Sequence, residues 1–339
     1  MPESPVIIIA EAGVNHNGDL GRAEEMVHAA AEAGADYVKF QTFRADQLVS
    51  PEARQAAYQA SRAAADSQLQ MLRALELNEA AHEALIGACQ RAGIRFLSTA
   101  FDLSSLEYLA SLGLDRFKVP SGEITHLPYL RRIAAFGKPL WLSTGMASLG
   151  EIEAAVAVLE SQGLRRGDIT ILHCNTAYPT PMADVNLRAM QSLAQAFGTP
   201  VGYSDHTLGI EVPIAAVALG AVCIEKHFTL DRSLPGPDHA ASLEPAELKA
   251  MVSAIRNIEA ALGSPLKQRT ASERENLAPA RKSIFLSVEM AENQVIEEHS
   301  LIMKRPGDGI SPMEMDRVLG RRLRQALPAG TKLRWEDLI

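Results

Sequence analysis

The chain has 339 residues, 47% hydrophobic and 22% charged, which gives enough apolar material for a large packed core plus a small second domain and excludes a disordered chain. The formal net charge of -8 offers no basic face to nucleic acid, so a bound phosphate has to be held by a few local cations. Cys89, Cys174 and Cys223 sit inside apolar runs, as reduced thiols of a cytoplasmic protein do, and do not form a disulfide framework.

Residues 6–10 are too short and wrongly flanked for a signal peptide, and no run approaches membrane length, so no membrane partner is expected. Residues 6–13 read as a strand and 19–35 as a helix closed near Gly34. The alternation continues with strand 37–43 and helix 78–92, strand 95–101 and helix 103–112, then strand 116–121 and helix 127–136. Four further pairs follow: 139–145 with 148–162, 169–175 with 187–197, 201–206 with 210–219, and 222–229 with 245–262. Eight strand-and-helix units predict an α/β chain folded as a (β/α)8 TIM barrel over residues 1–265. Residues 44–77 are too long for a plain connection and predict one or two helices over the barrel mouth, placed as a lid. Residues 266–280 read as a polar linker, and 281–339 as a small, mostly β module with a turn at 305–309 and a helical stretch at 313–319. A module of about 60 residues is near the lower limit for folding alone, so it is expected to pack on the barrel or on a partner chain.

A barrel carries its active site at the C-terminal ends of its strands, and here nearly every strand ends in polar residues. Strand one ends at Glu11 and runs into Asn15, His16 and Asn17, and strand two carries Lys39 and Gln41 on one face. Strand three ends at Ser98 and Thr99, strand four at Lys118, Ser121 and Glu123, and strand five at Ser143 and Thr144. A buried lysine needs a partner, and an anionic ligand serves both Lys39 and Lys118, with hydroxyls of Ser98, Thr99, Ser143 and Ser204 as further donors. The competing reading has each lysine reaching solvent and each hydroxyl capping a helix.

Strands seven and eight end in Ser204-Asp205-His206 and Glu225-Lys226-His227, so Ser204 shares a face with His206 and Glu225 with His227. Two imidazoles on neighbouring strands fit one divalent metal with substrate or water completing its shell, and they fit equally two unrelated core histidines. His28, His82 and His299 have helical or exposed-looking contexts, and a surface position is expected for each. The stiff loop 235–239 is either a plain turn or a device that aims Asp238 at a substrate hydroxyl.

Taken in order, Ile9-Ala10-Glu11-Ala12-Gly13, Val38-Lys39-Phe40-Gln41, Lys118-Val119-Pro120-Ser121-Gly122-Glu123, Leu142-Ser143-Thr144-Gly145-Met146, Tyr178-Pro179-Thr180-Pro181, Gly202-Tyr203-Ser204-Asp205-His206, Glu225-Lys226-His227-Phe228-Thr229 and Gly236-Pro237-Asp238-His239 closely resemble the sialic acid synthase family. Residues 281–339 resemble its C-terminal antifreeze-like (SAF) domain, including Lys304-Arg305-Pro306-Gly307. The resemblance implies condensation of phosphoenolpyruvate with an open-chain N-acetylated mannose-type sugar, giving a nine-carbon 2-keto sugar acid and phosphate by C–O cleavage. It implies a divalent metal on His206 and His227, with manganese first and magnesium or cobalt as alternatives. Lys39, Thr99, Lys118, Ser121, Ser143, Thr176 and Ser204 fall at phosphoenolpyruvate positions, and Gln41, Tyr178 and Asp238 at sugar positions. A domain-swapped homodimer, also implied, would bring Arg305 to the partner's site against the N-acetyl group. Glu11 is the candidate for moving protons. N-acetylmannosamine stands first as acceptor, and the 2,4-diacetamido-2,4,6-trideoxymannose of legionaminic acid synthases second, since Ala177 departs from the larger or acidic residue of several relatives. A non-catalytic carbohydrate- or phosphate-binding protein is the alternative of a different class.

Overall fold

A computed structural model of the chain describes residues 5–50, 52 and 67–339. It divides into two compact units, Met1–Gly263 and Ser264–Ile339. The first contains eight parallel strands: β1 (Ile7–Gly13), β2 (Tyr37–Thr42), β3 (Arg95–Ala100), β4 (Phe117–Val119), β5 (Leu140–Ser143), β6 (Ile169–His173), β7 (Val201–Asp205) and β8 (Cys223–His227). Their hydrogen-bonded order is β3-β2-β1-β8-β7-β6-β5-β4, so the first strand pairs with the last and the sheet curls into a barrel. β3 and β4 pack side by side at the remaining seam without a ladder. β4 is half as long as expected because Pro120 ends it with no backbone N–H to donate.

Helices wrap the outside in the expected alternation, including α1 (Leu20–Glu32), α4 (Glu79–Ala92), α5 (Leu103–Ser111), α7 (Leu149–Ser161) and α10 (Pro245–Leu262). Their starts follow local chemistry. Asn78 accepts the Ala81 N–H ahead of α4, and Ser148 and Glu151 exchange bonds in a capping box ahead of α7. In the connection 44–77, α2 (Ala45–Leu48) and α3 (Gln68–Arg73) pack through Ala45, Met71 and Leu72 onto Val14 and Phe43. The rest of the lid expectation, residues 51 and 53–66, lies outside the described residues.

Alternation along the strands sorts the interior into layers. Ile9, Tyr37, Leu97, Trp141, Leu172 and Cys223 form an apolar floor inside the barrel, while Ile8, Val38, Phe40 and Phe96 face the helices. The floor is tight: a Cβ on Gly202 would stand 2.6 Å from the Cys223 carbonyl oxygen, so β7 needs glycine there.

Two expectations fail on this layering. Ser98 does not reach the mouth, because it shares the helix-facing side with Phe96 and donates to Thr42 at 2.6 Å. His82 is fully buried and not on the surface. Its Nδ1 donates to the Asn78 carbonyl at 2.9 Å and its Nε2 accepts from Thr42 at 2.8 Å, which satisfies a neutral ring whose pKa burial pulls down. The sequence carried the signal, since His82 lies on the α4 face of Ala81, Leu85 and Cys89.

The second unit has its own apolar centre around Ile284, Leu286, Val318 and Leu333. In it β9 (Ser283–Leu286) runs antiparallel to β10 (Leu301–Lys304), and the stretch 266–280 holds two four-residue helices, α11 (Ala271–Arg274) and α12 (Leu277–Ala280). The helix expected over 313–319 is a 3₁₀ turn followed by α13 (Met315–Val318). Among the described residues no helix is long and apolar enough to cross a membrane.

Candidate active site

Above the apolar floor, the next inward-facing residue is polar on every strand except β6, where it is Cys174, and together these residues line a cavity of about 230 Å³ at the C-terminal ends of the strands. Glu11, Lys39, Gln41, Thr99, Lys118, Ser121, Ser143, Thr176, Tyr178, Ser204, His206 and His227 all border it. Asp238 borders the adjoining cavity beside Gln41, Tyr178 and His227. Arg305 is exposed in the turn after β10 of the second unit.

The lysines differ from expectation in one respect: each already faces a carboxylate. Lys39 Nζ lies 2.8 Å from Glu11 Oε2, 2.9 Å from Thr99 Oγ1 and 3.5 Å from Glu225 Oε2. Lys118 Nζ donates to both oxygens of Glu225, at 2.8 and 3.0 Å, and Ser204 donates to the same carboxylate at 2.7 Å. Both lysines are buried, so neither reaches solvent, and an anion would join an existing charge cluster. Glu225 is the residue that sequence reasoning left without a role, although strand parity placed it beside His227.

The four charges do not share protons evenly. Burial, reinforced by the Glu225 charge and opposed by Lys39, pushes the Glu11 carboxyl up to about 7. Burial acts on Glu225 too, but Lys118 and Lys39 outweigh it and hold that carboxyl well below the usual range. Near neutral pH, the cluster therefore keeps Glu225 ionised and leaves Glu11 able to gain or lose a proton.

His206 and His227 meet with ring centroids 5.4 Å apart. His206 Nδ1 donates to the Asn175 carbonyl, which fixes the tautomer and leaves Nε2 as the lone-pair nitrogen, 3.0 Å from the Tyr178 hydroxyl. Burial drops the His206 pKa to about 4 and that of His227 well below the ordinary value, the latter with further help from His206 and Lys39. Both rings are thus neutral, as metal ligands must be. His227 Nδ1 is buried without a hydrogen-bond partner, and among the described residues no cluster of three or more His, Cys, Asp or Glu could hold a metal. Two neutral imidazoles with an orphaned nitrogen fit a divalent ion that takes its other ligands from substrate and water.

The surrounding loops hold this arrangement. The Gly145 N–H donates to Ser121 Oγ at 3.0 Å, and a Cβ on Gly145 would stand 2.7 Å from Thr176 and 2.9 Å from Ser121, so glycine keeps that wall open. The loop bearing Asp238 is tied down from the turn after β1: Asn17 donates to the Pro235 carbonyl at 2.8 Å, and Asn15 to Ser242 Oγ at 2.9 Å. Ser242 in turn donates to the Asp238 carbonyl at 2.8 Å. Asp238 lies 3.8 Å from His227 Nδ1, and burial, against Lys39, raises its pKa to about 6. These bonds hold the loop in place, with Asp238 at the wall of the adjoining cavity.

Fold and site together define a (β/α)8 protein with a charged, imidazole-bearing pocket where this fold places catalysis. Residues 26–267 match the NeuB family and residues 281–339 the SAF domain. The chain belongs to the NeuB family, as the motif resemblance indicated. It is 52% identical over 316 residues to the N,N'-diacetyllegionaminic acid synthase of Campylobacter jejuni, covering 93% of this chain and 95% of the relative. It is 50% identical to the enzyme of the same name from Legionella pneumophila, over 98% of this chain and 94% of the relative. Among solved structures, the N-acetylneuraminic acid synthetase of Leptospira borgpetersenii, in complex with citrate, superposes with a TM-score of 0.72 at 36% identity, covering 80% of this chain and 90% of that one.

Proposed function

We propose that the chain condenses phosphoenolpyruvate with the open-chain form of an N-acetylated mannose-type sugar. The observation that carries this reading is the juxtaposition of two buried lysine–carboxylate pairs with two neutral histidines in one cavity. Lys39 and Lys118, with Thr99, Ser121, Ser143, Thr176 and Ser204, bind the phosphate and carboxylate of phosphoenolpyruvate and aim its C3 at the sugar aldehyde. As C3 bonds to the aldehyde carbon, its oxygen gathers negative charge, and Glu11, poised near neutrality, supplies a proton there. A water then adds to C2, returning a proton to Glu11, and the tetrahedral adduct collapses: the C2–O(phosphate) bond breaks, the C2 hydroxyl becomes the ketone, and its proton leaves on the phosphate released onto the lysines. A divalent metal, manganese first, would be held by His206 and His227 and would supply Lewis-acid polarisation of the aldehyde oxygen. Gln41, Tyr178 and Asp238 hold the sugar.

The sequence motifs put N-acetylmannosamine ahead of 2,4-diacetamido-2,4,6-trideoxymannose as acceptor. The relatives favour the second order: the two legionaminic acid synthases stand at 52% and 50% identity, against 36% for the N-acetylneuraminic acid synthetase. The reading includes a domain-swapped homodimer in which Arg305 reaches the partner's site and bonds the N-acetyl group. It also includes a cytoplasmic setting, which the three free, buried thiols favour.

The test is phosphate release from phosphoenolpyruvate with both sugars, before and after chelation and metal add-back, with mass analysis of the product. Release that needs an acceptor and a metal is expected, with the diacetamido sugar preferred. No release with either sugar would leave a binding protein without this catalysis.

A further inference from the structure

Next to the charged cavity lies a second one of about 310 Å³, and the two share Gln41, Phe101, Tyr178 and His227. The contrast between them is chemical. The first is walled by lysines, carboxylates and hydroxyls, whereas the far wall of the second is formed by Phe43, Leu48, Val49, Met71, Leu72 and Leu75, from the end of β2 and from α2, α3 and the turn after it. These side chains form one apolar cluster, with Met71 6% and Phe43 3% exposed. Among the described residues, the polar side chains lining this chamber are Gln41, Tyr178, His227 and Asp238 on the side of the shared opening, and Gln68 on α3.

We propose that this wall selects the acceptor by its C4 and C6 substituents, a claim that rests on the proposed condensation. An acceptor whose aldehyde reacts beside His206 and His227 has its distal carbons to place in the adjoining chamber. A C6 methyl and the methyl of a C4 acetamido group gain by burial against Met71, Leu72 and Val49, and Gln68 serves the acetamido amide. A C6 hydroxyl placed against Met71, Leu72 and Val49 gives up its water and finds no hydrogen-bonding partner among those three side chains. The deoxygenated, doubly acetylated sugar therefore fits the chamber, and a hydroxylated mannosamine fits it less well.

The experiment compares kcat/KM for 2,4-diacetamido-2,4,6-trideoxymannose and for N-acetylmannosamine in the wild type, in Met71→Gln and in Val49→Thr, both of which hold side-chain volume nearly constant. The ratio of the two values is expected to fall about tenfold or more in M71Q and about threefold in V49T, with the KM for phosphoenolpyruvate unmoved. Equal losses with both sugars, or an unchanged ratio in both variants, overturn the inference while the condensation stands. A wild type that releases phosphate with neither sugar overturns the function and the inference together. If M71Q melts out, the half-buried position 49 decides the question.

Discussion

Replacing Glu225 with Gln tests the electrostatic core of the site. The carboxylate is 3% exposed, accepts three hydrogen bonds from Lys118 and Ser204, and stands 3.5 Å from Lys39. An amide keeps the shape but removes the charge, leaving two buried ammonium groups against Glu11, a carboxyl that burial already pushes up to about 7. Removing one partner of a buried pair costs about 3–5 kcal/mol, chiefly for the uncompensated charge that remains. At roughly 2–4 °C per kcal/mol for a unit of this size, the variant should melt about 6–20 °C lower in phosphate-free buffer. Inorganic phosphate supplies the missing negative charge, and at a hundred times its dissociation constant it returns about 2.7 kcal/mol. Thermal melts of both proteins, with and without phosphate, give the answer. The expected outcome is a deep deficit in E225Q and a larger phosphate shift than in the wild type. A cost below about 1 kcal/mol, or equal phosphate shifts in the two proteins, would refute the view that Glu225 is the counter-charge of an anion site.

His227→Gln should abolish metal binding and cut turnover about a thousandfold while moving the melting temperature little, since the buried Nδ1 has no hydrogen bond to lose. Elemental analysis beside kinetics checks it, and retained metal-dependent turnover would sink the ligand assignment. Asp102 caps α5 and accepts from Ser105 N and Oγ, Ser104 Oγ and Arg44 N. Burial raises its pKa, but these four donors outweigh that effect and lower it, so its stabilisation is present above the unfolded value near 3.8 and is lost as pH falls through the folded one. Asp102→Asn should therefore cost about 1–2 kcal/mol at pH 7, with the deficit shrinking below pH 4 in urea titrations. A deficit constant with pH would refute it. Asn17→Ala, which frees the Pro235 carbonyl from the turn after β1, should raise the KM for the sugar about three- to tenfold and leave that for phosphoenolpyruvate alone. Equal rises in both constants would show that the loop does not act through Asp238.

Much of the site was legible because a strand has a period of two. Lys39 with Gln41, and Glu225 with His227, had to share a face, and the eightfold alternation told which end of the barrel that face would serve. The same parity contained the correction at Ser98, since adjacent residues Ser98 and Thr99 cannot both point inward. What parity cannot supply is pairing across the barrel. Lys118 on β4 and Glu225 on β8 are 107 residues apart and meet only because the sheet closes, so the sequence offered an absent anion as the lysine's partner where the fold provides a carboxylate. The apolar wall was equally hidden. Residues 44–77 show no single period, and Phe43, Val49 and Met71 acquire a common direction only when α2 and α3 fold onto Val14.

The outer faces of β7 and β8 carry a further consequence of that parity. Asp205 lies between Ser204 and His206, and Lys226 between Glu225 and His227, so with those four residues facing the cavity, Asp205 and Lys226 are turned toward the helices. There it would be an expensive pair of charges, both fully buried, unless joined. Asp205 and Lys226 are register partners across the two strands, and Lys226 Nζ donates to Asp205 Oδ2 and to the Thr207 carbonyl, while Asp205 accepts from Thr207 N and Oγ1. A slip of one residue between the strands would break both bonds of Lys226 and leave buried charges unpaired, at a cost well above that of most single core errors. Because His206 and His227 are the next residues along, the register this pair enforces is also the register that sets the two imidazoles side by side. The charge lies outside the cavity, yet it determines the spacing inside it.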